Sequence, residues 1–164
     1  SMQIIVAADK HWAIGKDGDL LWHLPEDMKF FREKTTGNVV VMGRKTLDSF
    51  PGGKPLKNRV NLVLSRDEGF SREGAEIVHS MEEAIEYLNR YEPDQIFVIG
   101  GGHIYREFLP YCDTAYVTRV EETFEADTTF PDLDESPEWT LTEEGEEKEH
   151  NGLSYRFTTY KKAQ

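Results

Sequence analysis

Apolar and β-branched residues gather along this chain in short, largely uninterrupted runs at Ile4–Ala8, Val39–Met42, Val60–Leu64, Ile96–Ile99 and Ala115–Val120. A strand covered on both faces requires such runs, because side chains of both parities then meet apolar neighbours. Ala75–Val78 is a shorter candidate, while Trp139–Thr142 and Leu153–Tyr160 alternate more and predict antiparallel or edge strands. Helical patterns fall at Pro25–Thr36, Arg44–Phe50, Met81–Tyr91 and Ile104–Leu109, and Ser80 with Glu83 forms a capping-box signature ahead of the third. Strands alternating with helices predict an α/β fold over residues 1–164 as one domain: a predominantly parallel central sheet, helices on both faces and an antiparallel C-terminal edge strand. Sheets of this kind bind ligands at the carboxyl ends of their strands. That rule singles out Gly43-Arg44, Ser65-Arg66 and Gly100-Gly101-Gly102, each directly after a predicted strand.

The net charge of -12 matters through its placement. Residues 121–149 hold thirteen acids against the single base Lys148, and the rest of the chain balances. An acidic chain argues against nucleic acid as the partner. Residues 43–66 nevertheless carry Arg44, Lys45, Lys54, Lys57, Arg59 and Arg66 against Asp48 alone. Such an island suits either a small polyanion or an ordinary solvated surface. The lone Cys112 cannot form an internal disulfide, and no Cys/His cluster has zinc spacing. A reducing, cytoplasmic location without a metal is therefore expected. No apolar stretch is long enough to span a bilayer and no leader-like segment is visible, so no membrane partner is expected. No exposed apolar stripe demands a second copy, which predicts a monomer.

One carboxylate has an unusual setting. Pro25 suits the first position of a helix, and along that helix Leu24, Met28 and Phe31 form an apolar stripe with Asp27 falling between Phe30 and Phe31. Desolvation there raises the pKa of Asp27, and the positive helix N-terminus lowers it. The residue is either a poised group in a pocket or a first-turn acid favoured by the dipole. Gly43-Arg44-Lys45-Thr46 sits where a strand hands over to a short helix, whose free N–H groups attract phosphate while Arg44 adds a donor fork. Ser65-Arg66 offers a second hydroxyl and guanidinium, and two such strand ends side by side would suit a ribose phosphate. In Ile99-Gly100-Gly101-Gly102-His103-Ile104-Tyr105 the glycines permit a close backbone approach or simply form a tight turn. The run lacks the G-x-G-x-x-G spacing of a Rossmann fingerprint. Ile14-Gly15-Lys16-Asp17-Gly18-Asp19-Leu20 reads as a mobile flap or as a surface loop. Ser49 and His79 lie far apart with no nucleophile elbow, and His11, His23, His79, His103 and His150 lack ligand spacing. A hydrolase or a metal enzyme is not supported.

Taken in order, these pieces resemble the dihydrofolate reductase family across essentially the whole chain. The resemblance rests on Ile14-Gly15, Trp22-His23-Leu24-Pro25-Glu26-Asp27, Met42-Gly43-Arg44-Lys45-Thr46 with Ser49, Pro55-Leu56, Arg59-Val60-Asn61, the Ile99–Tyr105 run and Asp127-Thr128-Thr129-Phe130-Pro131. It implies NADPH-dependent reduction of 7,8-dihydrofolate to 5,6,7,8-tetrahydrofolate, in support of one-carbon and thymidylate metabolism. Dihydrofolate and antifolate-type small molecules are the implied ligands. By the same resemblance Asp27 is the sole ionisable group of the pterin pocket, assisted by Thr118, and Trp22 holds an ordered water near it. Ile5, Met28, Phe31, Phe50, Leu56 and Ile99 are apolar walls, with Arg32, Ser49 and Tyr105 also on the substrate side. Arg59 grips the glutamate α-carboxylate. Arg44, Ser65 and Arg66 bind the 2′-phosphate, with Gly43, Lys45, Thr46 and Leu64 nearby. Ala7, Ile14, Gly15 and Leu20 cover the nicotinamide, and the Gly100-Gly101 bend, cis in the family, supports the cofactor with Gly102, His103, Ile104 and Tyr105.

The chain also departs from the family pattern. Leu21 stands where proline usually precedes the tryptophan, Lys57-Asn58 replaces proline-glycine ahead of Arg59, and the loop Pro51-Gly52-Gly53-Lys54 is longer than in common bacterial members. These changes bear on loop shape and inhibitor fit. Two other readings share the cofactor junctions: a pyrimidine reductase of riboflavin synthesis and a non-catalytic nucleotide-binding sensor. The first does not need Asp27 among aromatics together with Arg59, and the second has no use for a half-buried carboxylate.

Overall fold

The structure, a computed structural model, describes residues 1–15 and 22–163. Leu20, Leu21 and the predicted flap beyond Gly15 lie outside the described residues. In chain order the elements are β1 (Met2–Ala8), β2 (Ala13–Gly15), α1 (Pro25–Thr35), β3 (Val39–Gly43), α2 (Arg44–Ser49), β4 (Val60–Leu64), β5 (Ala75–Val78), α3 (Met81–Leu88), β6 (Ile96–Gly100), α4 (Gly102–Phe108), β7 (Cys112–Val120), β8 (Thr128–Thr129), β9 (Trp139–Glu144), β10 (Lys148–His150) and β11 (Leu153–Lys162). The main sheet runs β10-β11-β7-β1-β6-β3-β4-β5, with β9 also pairing β11. Neighbours from β7 through β5 are parallel, and β11 lies antiparallel to β7. This is the mostly parallel α/β sheet with an antiparallel side that the sequence predicts.

The apolar runs divide between the two faces by the strand's period of two. Ile4, Val6, Val39, Val41, Leu62 and Val98 point to the face covered by α3 and α4, where Ala84, Leu88, Ile104 and Phe108 meet them. Ile5, Val40, Met42, Val63, Phe97 and Ile99 point to the other face, where Leu47 of α2 and Phe30 and Phe31 of α1 lie. A third, small cluster joins Leu24, Val120 and Tyr155 to Trp22 and Phe124.

Local details amend the expected elements. Ser80 Oγ accepts from the Glu83 amide at 3.1 Å as predicted, but the Glu83 carboxylate reaches His79 N at 2.8 Å rather than Ser80, so the box closes one residue upstream. Helix α3 stops at Leu88, short of Tyr91, and α4 begins at Gly102 rather than Ile104. The apolar stripe expected on α1 splits, with Leu24 in the third cluster, Phe31 in the second and Met28 exposed between them.

The β1–β2 connection is organised by a fully buried acid. Asp9 Oδ1 accepts from His11 N and Ala13 N at 2.8 and 2.9 Å, and Oδ2 accepts from Phe124 N at 2.8 Å. Trp12 holds the left-handed φ of 62°, uncommon outside glycine. Its ring lies under the Arg119 guanidinium at 4.0 Å and against Phe130 and Tyr160. The turn delivers β2, which pairs with β8. Asp9→Ala strands three backbone donors and should lower unfolding free energy by about 3 kcal/mol or more, with Asp9→Asn intermediate. Urea denaturation measures this, and a loss under about 1 kcal/mol would refute the assigned role of the carboxylate.

Candidate active site

Strand order brings the carboxyl ends of β7, β1, β6, β3 and β4 together, and α1 crosses this edge with its first turn. Pro25 begins α1, and Leu24 supplies no side-chain cap, so Glu26 and Asp27 are the acids at the positive helix end. Asp27 reaches β7, where Thr118 Oγ1 donates to its Oδ1 at 2.6 Å. Thr118 is buried and lies in register with Ala7 of β1. Burial pushes the Asp27 carboxyl above the ordinary carboxylate range, and the Thr118 hydrogen bond opposes it without prevailing.

On the sheet face that α1 covers, Ile5 and Ile99 are buried and share one apolar cluster with the half-buried Phe31, Phe50 and Leu56. Met28 stands outside that cluster, 47% exposed. Tyr105, buried on α4, donates its hydroxyl to the Ile5 carbonyl at 2.9 Å. Burial, aided by the charge of Asp27, raises the pKa of that phenol far above its ordinary value, so it remains a donor. Trp22 packs on Phe124 at 5.4 Å in the small cluster beside the start of α1. There Glu26 accepts from Tyr155 at 2.9 Å and pairs with Lys148 at 3.6 Å.

The three junctions named by the strand-end rule are neighbours. Gly100 holds φ of 122° ahead of a cis peptide to Gly101, and the Tyr105 ring fills the space beside it. At Gly43, a Cβ would come within 2.9 Å of the Ile104 side chain, which would have to shift to admit it. Thr46 Oγ1 lies beside Gly101, and Ser49 donates to the Thr46 carbonyl at 2.6 Å. Arg44 stacks over Phe70 at 4.1 Å and pairs with Asp67 at 3.3 Å and Asp48 at 3.6 Å. Ser65 is buried just past Leu64, its Oγ accepting from Asp67 N at 3.3 Å and its carbonyl facing His79 Nδ1 at 2.8 Å. Lys45 and Arg66 are exposed. His103 is exposed and faces Glu107 at 3.3 Å. Of the flap, Ile14 is buried, and Gly15 pairs with Thr128 and accepts from Asp127 N at 3.1 Å.

Arg59 directly precedes β4 and lies against the last turn of α1. Its Nη1 donates to Thr35 Oγ1 at 3.0 Å and its Nε to the Lys57 carbonyl at 2.9 Å. Burial first, then the positive charge of Arg32, lowers its pKa. The turn that carries it depends on Asn61, to which the sequence reading gave no role of its own. Buried in β4, Asn61 accepts from Leu56 N at 2.9 Å and donates to the carbonyls of Leu56 and Arg59 at 2.9 and 3.1 Å. A polar residue inside an apolar strand run was the available signal. Phe70, Asp67 and Arg72, which surround Arg44, carried no local signal.

The family model described as dihydrofolate reductase matches residues 1–162. The dihydrofolate reductase of Bacillus subtilis (strain 168) is 39% identical over 163 residues, covering 98% of this chain and 94% of the relative. That of Haemophilus influenzae is 39% identical over 158 residues, covering 96% of each. A solved dihydrofolate reductase from Enterococcus faecalis, complexed with NADP(H) and RAB-propyl, is 39% identical with a TM-score of 0.87, covering 99% of this chain and 96% of that one.

Because the Asp27 carboxyl titrates above its ordinary value in the fold, its protonated form is the one the fold favours. The stability this contributes is complete below the ordinary carboxylate range and is lost as pH rises through the folded pKa. Asp27→Asn should therefore be more stable than the parent at neutral pH, and the difference should close in acid. Urea unfolding across pH tests this, and a variant less stable than the parent at neutral pH would contradict it.

Proposed function

The chain belongs to the dihydrofolate reductase family, and we propose that Asp27, Thr118 and the apolar walls around them form its pterin site, with the Gly43, Ser65 and Gly100 junctions as its NADPH site. The enzyme reduces 7,8-dihydrofolate to 5,6,7,8-tetrahydrofolate, which enters one-carbon metabolism. The observation that carries the residue assignment is the half-buried Asp27 carboxyl, bonded to Thr118 at 2.6 Å beside the cluster of Ile5, Phe31, Phe50, Leu56 and Ile99. Neither the pyrimidine reductase nor the sensor reading uses that carboxyl together with Arg59.

The residues present fit the cofactor. Arg44 and Ser65 stand at adjacent strand ends, and Arg44 already holds carboxylates, as a guanidinium built for an anion does. Gly43 and Gly100 let Ile104 and Tyr105 of α4 pack directly against the strand-end backbone, which brings the start of α4 to the site. Arg66 and Lys45 add positive charge, and Thr46, Leu64 and the Gly102–Tyr105 turn border the site. Ala7, Ile14 and Gly15 are assigned to the nicotinamide end, as is Leu20, which lies outside the described residues.

NADPH, when bound, supplies the hydride that is added to the imine carbon. The chain's part is to orient the pterin and favour the proton on the imine nitrogen. Asp27 accepts from the pterin's amino group and ring nitrogen, which pushes electron density into the ring and raises the basicity of the imine nitrogen, so that water can protonate it. Low local polarity enlarges that electrostatic effect. Thr118 fixes the rotamer of Asp27, and Trp22 holds the water in place. Arg59, with Arg32 beside it, takes the substrate's carboxylate tail, and Ser49 and Met28 border the opening.

Residues 1–164 are taken as one domain, because the three apolar clusters draw on elements from both ends of the chain. A monomer agrees with the exposed large apolar side chains Met28, Tyr111 and Leu141 lying on separate parts of the fold. A reducing cytoplasm suits the lone buried thiol of Cys112. No helix among the described residues is long and apolar enough to cross a membrane.

Loss of the reduced cofactor's near-ultraviolet absorbance on adding dihydrofolate tests the activity. Asp27→Asn should lower hydride transfer at neutral pH by about 10²–10⁴-fold; turnover unchanged across pH would remove Asp27 from the mechanism. Arg44→Ala should weaken NADPH far more than NADH, and equal losses would show that Arg44 does not read the 2′-phosphate.

A further inference from the structure

Arg44 does not present a free charge to solvent. Asp67 Oδ2 lies 3.3 Å from its Nη1 and Asp48 Oδ2 lies 3.6 Å from its Nε. The two acids are not equivalent. Asp48 has a closer cation in Arg72, at 2.8 Å, and Arg72 is itself fixed by donating to the Gly53 carbonyl and by lying over Phe70 at 5.1 Å. Among the described residues, Arg44 is the only basic side chain within ion-pair distance of Asp67.

Asp67 is also built into place. Its Oδ1 accepts from Gly69 N at 2.9 Å, a short turn that holds the carboxylate against its own backbone. Its backbone N–H donates to Ser65 Oγ at 3.3 Å. One residue therefore engages both groups assigned to the cofactor's phosphate, the Arg44 guanidinium through its carboxylate and the Ser65 hydroxyl through its amide. Phe70, stacked under Arg44, keeps the guanidinium plane oriented while the anion on its edge can be exchanged.

We propose that Asp67 is an internal stand-in for the cofactor's 2′-phosphate: it occupies Arg44 in the free protein, yields it when NADPH binds, and so sets how strongly the enzyme prefers NADPH over NADH. This rests on the reading that Arg44 receives the 2′-phosphate. On binding NADPH, Arg44 exchanges a monoanion for a phosphate close to doubly charged, and the released Asp67 carboxylate remains next to that phosphate. Both effects oppose NADPH. NADH brings a hydroxyl to the same place, so Asp67 keeps Arg44 and neither effect arises. The acid thus reduces the preference below what Arg44 and Ser65 alone would give.

Asp67→Asn removes the competing charge and keeps a carbonyl oxygen for Gly69 N, so the turn survives. Both partners of the pair are about half exposed, at 44% and 59%, which keeps the effect modest. The NADPH dissociation constant of the full chain should fall about two- to fivefold, as for an exposed ion pair. The NADH constant should stay where it is. The NADPH gain should shrink as salt is raised, which a change in loop packing would not do. Fluorescence titration of both cofactors against the parent, Asp67→Asn, Arg44→Ala and the double variant reads all of this. An Asp67→Asn chain whose NADPH affinity is unchanged or weaker, or which tightens on both cofactors alike, overturns the proposal. So does a gain that persists in full once Arg44 is alanine, because the competition must run through that guanidinium. The underlying assignment fails separately, if Arg44→Ala weakens NADPH and NADH equally. If Arg44→Ala discriminates and Asp67→Asn does not, the stand-in role alone is lost.

Discussion

Keeping one carboxyl largely out of water dictates much of the architecture around it. Asp27 is desolvated strongly enough that its hydrogen bond to Thr118 does not restore an ordinary pKa. Such a group keeps its place only if the helix that carries it and the strand that answers it are both fixed. Thr118 is fixed because β7 lies between β1 and β11 in the sheet. The start of α1 is fixed from another quarter, by Glu26 accepting from Tyr155 of β11 and pairing with Lys148 of β10. Lys148 is the single base of the acidic stretch 121–149, so the strongly negative C-terminal hairpin is tied to the helix next to the working carboxyl. The acidic surface beyond it has no role that this contact explains.

The sheet was legible because its strands are long enough to leave an unbroken apolar signature and because both faces are covered. The residues around the site were legible wherever they belong to a strand-end junction, as Gly43-Arg44, Ser65-Arg66 and Gly100-Gly101-Gly102 do. What escaped was long-range. Asp9 gathers amides from His11, Ala13 and Phe124, and nothing near it in sequence announces that it is buried. Strands β2, β8 and β10 are two or three residues long and exist only through their pairing. The helical wheel of α1 misled in a specific way. It treated Leu24, Met28 and Phe31 as one apolar stripe, whereas the helix bridges two clusters and leaves Met28 open between them.

Positive charge was read from the sequence as an island, but the structure divides it into two unlike parts. Arg44 and Arg72 share Phe70 and are met by Asp48 and Asp67, so these two guanidiniums are matched by two carboxylates before any ligand arrives. Arg59 and Arg32 have no carboxylate within ion-pair distance among the described residues. Arg59 is held instead by a threonine hydroxyl and a backbone carbonyl.

The contrast has a physical consequence. A half-buried guanidinium beside a second one loses hydration and gains repulsion, and the lowered pKa of Arg59 records both. An anion that arrives there relieves a standing cost and displaces nothing. At Arg44 the arriving anion must replace one already present, so only the difference between the two anions reaches the binding free energy. The two guanidiniums are therefore prepared in opposite senses. The first attracts any carboxylate of suitable reach, and the second responds chiefly to an anion stronger than an aspartate. Discrimination belongs at the second, because an exchange rewards the difference in charge between ligands where a simple attraction rewards charge itself.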